Sequence, residues 1–142
     1  MVKRLPQKVF DSIYSKVPRL CVDLAVKNSQ GILLTLRSIP PWKNMWHLPG
    51  GTVLFGETLE QAVKRIAKEE LGVEVKVIKL FSPIEWPGKT VIGVHAVSIP
   101  HLVKITKGKI KLNNQAREFK FFNKFPTKTI KEHKSILKKI FT

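Results

Sequence analysis

The segment from Thr58 to Gly72, TLEQAVKRIAKEELG, constrains the fold more than any other part of the chain. Thr58 followed three residues later by Gln61 is a capping box, in which each side chain satisfies a backbone N–H of the first helical turn. Leu59, Ala62, Val63, Ile66 and Ala67 then fall on one helical face, and Gly72 is suited to end the helix in a left-handed conformation. A helix with one apolar stripe must bury it against something, so the rest of the chain has to supply a sheet or further helices.

The flanking sequence supplies strands. Leu20 to Val26 reads as a strand with Asp23 at its centre, Asn28 to Gly31 as a turn, and Ile32 to Leu36 as the hairpin partner. The segment SIPPWKNMWHLPGG carries three prolines and is expected to be a structured loop. After the helix, Val73 to Phe81 alternates as a half-buried strand, Ser82 to Lys89 reads as a loop, and Thr90 to Ile99 and Glu118 to Phe122 as further strands. A short helix is expected over Lys8 to Ser15. A last one is opened by Thr129 and Glu132, with Ile130, Ile136, Leu137 and Ile140 docking inward. Strands and helices alternate without a strict βαβ period, which predicts an α/β domain with a mixed sheet. At 142 residues without repeats or linkers, residues 1–142 are expected to form one domain.

Apolar runs stay far below the roughly 20 residues needed to cross a bilayer, and the N-terminus does not read as a secretory signal. The expected setting is therefore cytoplasmic. The single cysteine, Cys21, lies in an apolar run and reads as a small buried side chain, not a reactive thiol. With 26 Lys and Arg against 10 Asp and Glu, the formal charge of +16 favours polyanionic or phosphorylated partners. The basic residues are scattered, which suits a solvated lysine-rich surface better than a dedicated nucleic-acid face.

Chemistry concentrates in Gly50 to Val73, GGTVLFGETLEQAVKRIAKEELGV. Arg65 and Glu69 are four apart on the helix and Glu70 lies at the same end, so two carboxylates crowd together. Crowded carboxylates repel unless a cation offsets them, and hard divalent cations prefer oxygen ligands. The glycine pair Gly50 and Gly51 lets backbone carbonyls approach the same ion. Arg65 is suited either to phosphate oxygens or to a structural ion pair with Glu57, and Arg37 to phosphate oxygens. Asp23 in a strand needs a partner if buried: a ligand hydroxyl or a nearby Arg. Trp42 and Trp86, both in expected loops, could stack on a base or pack the core edge.

The segment resembles the Nudix box, GX5EX7REUXEEXGU with U aliphatic. Gly51, Glu57, Arg65, Glu69, Glu70, Gly72 and Val73 fall in place, and Ile66 stands where the pattern has its first Glu after the Arg. Trp46, Pro49 and the order of the elements extend the likeness, which implies a mixed sheet sandwiched between α-helices. Within that family the chain resembles the GDP-mannose mannosyl hydrolases, whose pattern is matched by Ile66, Asp23 and Arg37 and whose metal-binding Gln is matched by Gln115. That subgroup's catalytic His is replaced by Ala116, and an Arg after its glycine pair by Thr52.

The resemblance implies a hydrolase of a nucleoside diphosphate derivative, with a nucleotide sugar such as GDP-mannose leading. Mg²⁺, or alternatively Mn²⁺, would be held by a Gly50 or Gly51 carbonyl, Glu69, Glu70 and Gln115. Arg65 would orient the helix or the phosphates, and Asp23, Arg37 and Trp42 would contact substrate. Attack by water calls for a proton acceptor. Glu85, Glu118, Glu69 and His95 compete for that role, and Glu85 is the choice because its loop is where related enzymes often mount their base. Expected partners are the nucleoside diphosphate-linked small molecule, RNA in view of the charge, no membrane, and a second copy of the chain as a homodimer. A binding-only domain and an enzyme of RNA 5′ ends are the alternatives.

Overall fold

The computed structural model describes residues 3–40, 42–86 and 95–141. The order of elements is α1 (Gln7–Tyr14), β1 (Arg19–Asn28), β2 (Gly31–Arg37), β3 (Trp46–His47), β4 (Gly50–Thr52), α2 (Leu59–Ile66), β5 (Glu74–Leu80), β6 (Ile84–Trp86), β7 (Ala96–Lys107), β8 (Ala116–Phe122) and α3 (Lys131–Phe141). The expected capping box is present at Thr58, and α2 runs on into a π turn, Ala67–Leu71, that ends at Gly72 with φ +67°.

The sheet is mixed. β7 lies parallel to β1, whereas all other pairings are antiparallel. Period-two side-chain alternation decides which helix covers which face. Val22, Leu24 and Val26 of β1, with Leu33 of β2, meet Ala62, Val63, Ile66, Ala67 and Leu71 beneath α2. Ala25, Ile32, Leu34 and Leu48 face the other way, onto Ile136 and Leu137 of α3. The sheet is therefore sandwiched between helices, each burying an apolar stripe.

One edge of β1 is divided, and this division places the site. β2 pairs with β1 only at its far end, Lys27↔Ile32 and Asn28↔Gly31. Along the first half β4 takes that place, pairing Cys21↔Thr52, Val22↔Gly51 and Asp23↔Gly50. The two hairpin strands thus splay apart, and the glycine pair lies in the opening. α1 buries none of its own residues; instead Arg19, at the start of β1, stacks its guanidinium over Phe10 and Tyr14.

Four expectations need correction. The proline-bearing segment before α2 is not loop throughout, because Trp46–His47 pairs with Leu36 and Thr35 and Gly50–Thr52 with β1. Ser82 to Lys89 contains β6, and residues 87–94, which include the end of that stretch and the start of the strand expected from Thr90, lie outside the described residues. β7 continues to Lys107, well past Ile99. Pro100 hid this continuation, since proline cannot donate to a ladder. It sits where the antiparallel neighbour changes from β6, ending at Ser98, to β5, beginning at His101. Thr129 does not cap α3; its hydroxyl donates to the Pro126 carbonyl at 2.6 Å. No helix among the described residues is long and apolar enough to cross a membrane.

Candidate active site

The construction of the site starts from Gly50. A Cβ at this position would stand 2.5 Å from both Asp23 Oδ1 and the Val22 carbonyl oxygen, so only glycine lets β4 lie this close to β1. The Gly50 N–H donates to the Glu70 carboxylate. The π turn carries Glu70 inward: its carboxyl is raised to about 7, chiefly by burial, with Glu69 and Asp23 adding to the rise and the Gly50 N–H and Arg37 opposing it.

Arg65 ties the helix to the loop before it. Its Nε and Nη2 donate to Glu57 at 2.7 and 3.0 Å, Nη2 also donates to the Thr52 carbonyl at 2.8 Å, and Nη1 reaches Glu69 at 3.1 Å. Glu57 accepts in addition from the Leu54 N–H at 2.8 Å. Burial raises the Glu57 carboxyl, but the hydrogen bonds from Arg65 and Leu54 outweigh this and hold it below the usual carboxylate value. Of the two roles open to Arg65, the ion pair with Glu57 is the one formed. Glu69, 40% exposed, is also gripped by Arg4 from the segment before α1.

Two cavities meet here. One, of about 330 Å³, contains Arg4, Arg65, Glu69 and Asn113. The other, of about 160 Å³, lies on the α3 face and contains Asp23, Arg37, Trp42, Trp86, Ser98 and His133. Gly50, Gly51, Glu70, Gln115 and Arg19 line both. Most of the residues expected to hold a metal therefore line a shared wall, whereas Asp23, Arg37 and Trp42, expected to touch substrate, line the smaller cavity alone. Among the described residues no cluster of three or more His, Cys, Asp or Glu forms a metal cage. A divalent ion would be held by a mixed oxygen set: the Glu69 and Glu70 carboxylates with the uncharged oxygens of Gly50 or Gly51 and Gln115. The chemistry fits, because Glu70 is half-buried where desolvation and neighbouring carboxylates already disfavour its charge, and a hard cation would reverse that.

Glu85 is not brought to this place. Its β6 neighbour Trp86 faces the smaller cavity, whereas Glu85 is exposed and lines a separate one with Lys131, Glu132 and Lys139 of α3. Alternation along a strand separates adjacent side chains in this way. His95 is exposed and precedes β7, and its carbonyl accepts from the Arg19 N–H at 2.8 Å. Glu118 sits exposed on β8 opposite Leu36. Cys21 lines the smaller cavity, and burial raises its thiol to about 11, which keeps it protonated and unreactive.

The sequence reading missed Ser98, His47, His133 and Arg4. Asp23, 6% exposed, accepts from the Ser98 hydroxyl at 2.5 Å, and His133 Nε2 stands 3.5 Å from the same carboxylate oxygen. The Leu48 peptide orients both histidines. Its carbonyl accepts from His47 Nδ1 at 2.7 Å, and its N–H donates to His133 Nδ1 at 3.0 Å. Burial lowers His47 to about 3, so it stays neutral, with Nε2 accepting from the Thr35 hydroxyl at 3.1 Å. One signal for His133 was available: it lies on the apolar stripe of α3 with Ile136 and Leu137, where a polar residue demands a reason.

Comparison with known proteins gives three kinds of match. A model of the family described as the NUDIX domain matches residues 17–140. The "Low-salt glycan biosynthesis protein Agl8" of Haloferax volcanii is 32% identical over 124 residues, which is 84% of this chain and 80% of that protein. An "ADP-ribose pyrophosphatase" of Methanocaldococcus jannaschii is 37% identical over 123 residues, 85% of this chain and 72% of that one. The crystal structure of a MutT NUDIX hydrolase from Burkholderia pseudomallei superposes with a TM-score of 0.80 at 25% identity, covering 88% of this chain and 99% of that one.

Proposed function

The chain belongs to the NUDIX domain family, and from that premise we propose that it is a divalent-cation-dependent hydrolase of a nucleoside diphosphate joined to a sugar, with GDP-mannose as the leading candidate. The observation that carries this reading is the wall of Gly50, Glu70 and Gln115 shared by a charged cavity and an aromatic one. A diphosphate laid across that wall would have its charge near the cation ligands and Arg37, while one end of the molecule would enter the cavity of Trp42 and Trp86. The two similar proteins, named for glycan biosynthesis and for ADP-ribose cleavage, are compatible with a substrate of that class.

Mg²⁺ or Mn²⁺ would supply charge neutralisation and Lewis-acid activation when bound by Glu69, Glu70, a Gly50 or Gly51 carbonyl and Gln115. The protein's own groups would do the rest. Arg65, fixed by Glu57, steadies Glu69 and the end of the helix. Glu69 is the cleft carboxylate open to solvent and takes the proton from attacking water. Arg37 offsets diphosphate charge beside Glu70.

A nucleotide-binding domain of weak turnover is the second reading. It is favoured because Ile66 and Ala116 stand where the resemblance implies proton acceptors, and Ile66 is 2% exposed in the core beneath Gly51. The same experiment tests both: nucleotide sugars, dinucleoside polyphosphates and nucleoside triphosphates incubated with Mg²⁺ or Mn²⁺, with products identified. Cleavage of nucleotide sugars, lost in Glu69→Gln and unchanged in Glu85→Gln, is expected. Binding without cleavage would favour the second reading, and cleavage of triphosphates alone would overturn the substrate class.

A further inference from the structure

We infer that His133 is a hydrogen-bond donor that reads the base of the bound nucleotide, with Asp23 beside it as the complementary acceptor. This rests on the nucleotide reading above and names the end of the substrate that enters the smaller cavity.

The tautomer of His133 follows from its neighbours. Nδ1 accepts the Leu48 N–H at 3.0 Å, so it carries no proton, and in the neutral ring Nε2 must carry one. That Nε2–H is buried and has no hydrogen-bond partner among the described residues, in a residue only 3% exposed. Asp23 Oδ2, at 3.5 Å, lies too far for a good bond and already accepts from Ser98 at 2.5 Å. Leaving such a donor unmet is costly, and the cavity it lines offers the place where a ligand atom would meet it. The same tautomer excludes His133 as the missing proton acceptor, because Nδ1 already accepts from Leu48 and Nε2 carries the proton.

The surroundings select a base over a sugar. Trp86 stands edge-on to His133 with centroids 5.2 Å apart, and Trp42 lies 5.6 Å from Trp86, so the cavity is walled by flat π surfaces. A nucleobase edge sets an acceptor beside an N–H, which matches a fixed donor, His133, beside a fixed acceptor, Asp23. Sugar hydroxyls each donate and accept, and place no demand on such an alternation.

Two amide substitutions separate the ring's two nitrogens. His133→Asn sets an acceptor near Nδ1 for Leu48 but has no distal donor, whereas His133→Gln sets an N–H near Nε2. Full-length protein with Mg²⁺ is titrated calorimetrically with GDP, ADP, UDP and mannose 1-phosphate. For at least one nucleotide, His133→Asn should weaken binding roughly fivefold to tenfold and His133→Gln within about twofold, the scale of one neutral hydrogen bond. Mannose 1-phosphate should bind all three proteins alike. In the natural protein the His133 Nε2 proton should shift in NMR spectra when that nucleotide is added, a readout that holds if a variant fails to fold.

Nucleotide binding equal in His133→Asn and the natural protein, or an equal loss with mannose 1-phosphate, or an Nε2 proton that never moves, would overturn the inference. If nucleotides still bind and are cleaved in that case, the proposed function stands without it. If the natural protein binds no nucleotide, both fall.

Discussion

A carboxyl group held near pH 7 by burial, with Glu69 and Asp23 pressing on it, must give up its proton before it can grip a cation. Mg²⁺ affinity is therefore expected to fall about tenfold per pH unit below about 7 and to level off above it, read from titrations across that range. Glu70→Gln should weaken binding and abolish the dependence. The sign for the metal-free fold runs the other way. A raised carboxyl contributes stability that is full below its ordinary value of 4.5 and is lost as pH climbs through about 7. Glu70→Gln should accordingly raise the melting temperature of chelated protein at pH 8 and leave it unchanged at pH 4, measured by calorimetry. Glu57 behaves differently: its side chain is 3% exposed against 19% for Arg65, and it is the partner that Arg65 loses on substitution. Glu57→Gln should cost about 2–3 kcal/mol in urea denaturation while weakening metal binding less than Glu70→Gln does. An equal loss of metal affinity in both would remove Glu70 from the ligand set.

Among the elements, α2 was the most legible, because its information is local: a capping box, an apolar stripe and a terminal glycine all lie within one stretch of chain. Thr58→Ala is expected to lower stability by about 1 kcal/mol, with metal affinity unchanged, in paired denaturation and titration experiments. The π turn was not legible, since nothing in AKEEL marks the one-residue change of hydrogen bonding that swings Glu70 inward while Glu69 stays exposed. β4 was missed for a related reason: three residues after a proline carry no periodicity, and the strand exists only because β1 offers a vacant edge. Gly50→Ala tests that pairing. Its Cβ would meet a backbone oxygen that cannot yield cheaply, so the protein should melt earlier and lose turnover, whereas Gly56→Ala, with open space around it and φ of +89°, should show only backbone strain. Normal turnover in Gly50→Ala would refute the close β1–β4 packing.

At the scale of the molecule, a charge of +16 acts at a distance. Association with GDP should slow as ionic strength rises while dissociation hardly changes, seen by stopped-flow mixing, because screening weakens steering more than contacts in a cleft. A salt-independent association rate would confine the charge to a solubilising role.

The sequence by itself determined the residue types and spacings of the box, the two covering helices, the mixed sheet and the basic surface, since each rests on local pattern or on composition. Which side chains share a cavity was left to the tertiary structure. Glu85 lies within a loop-like stretch that suggested a base, yet strand alternation turns it to another cavity and leaves Trp86 in the site. Asp23, Ser98 and His133 come from β1, β7 and α3 and meet only because parallel β1–β7 register and the docking of α3 bring them together. Such meetings depend on long-range packing, which the periodicity of any one segment does not encode.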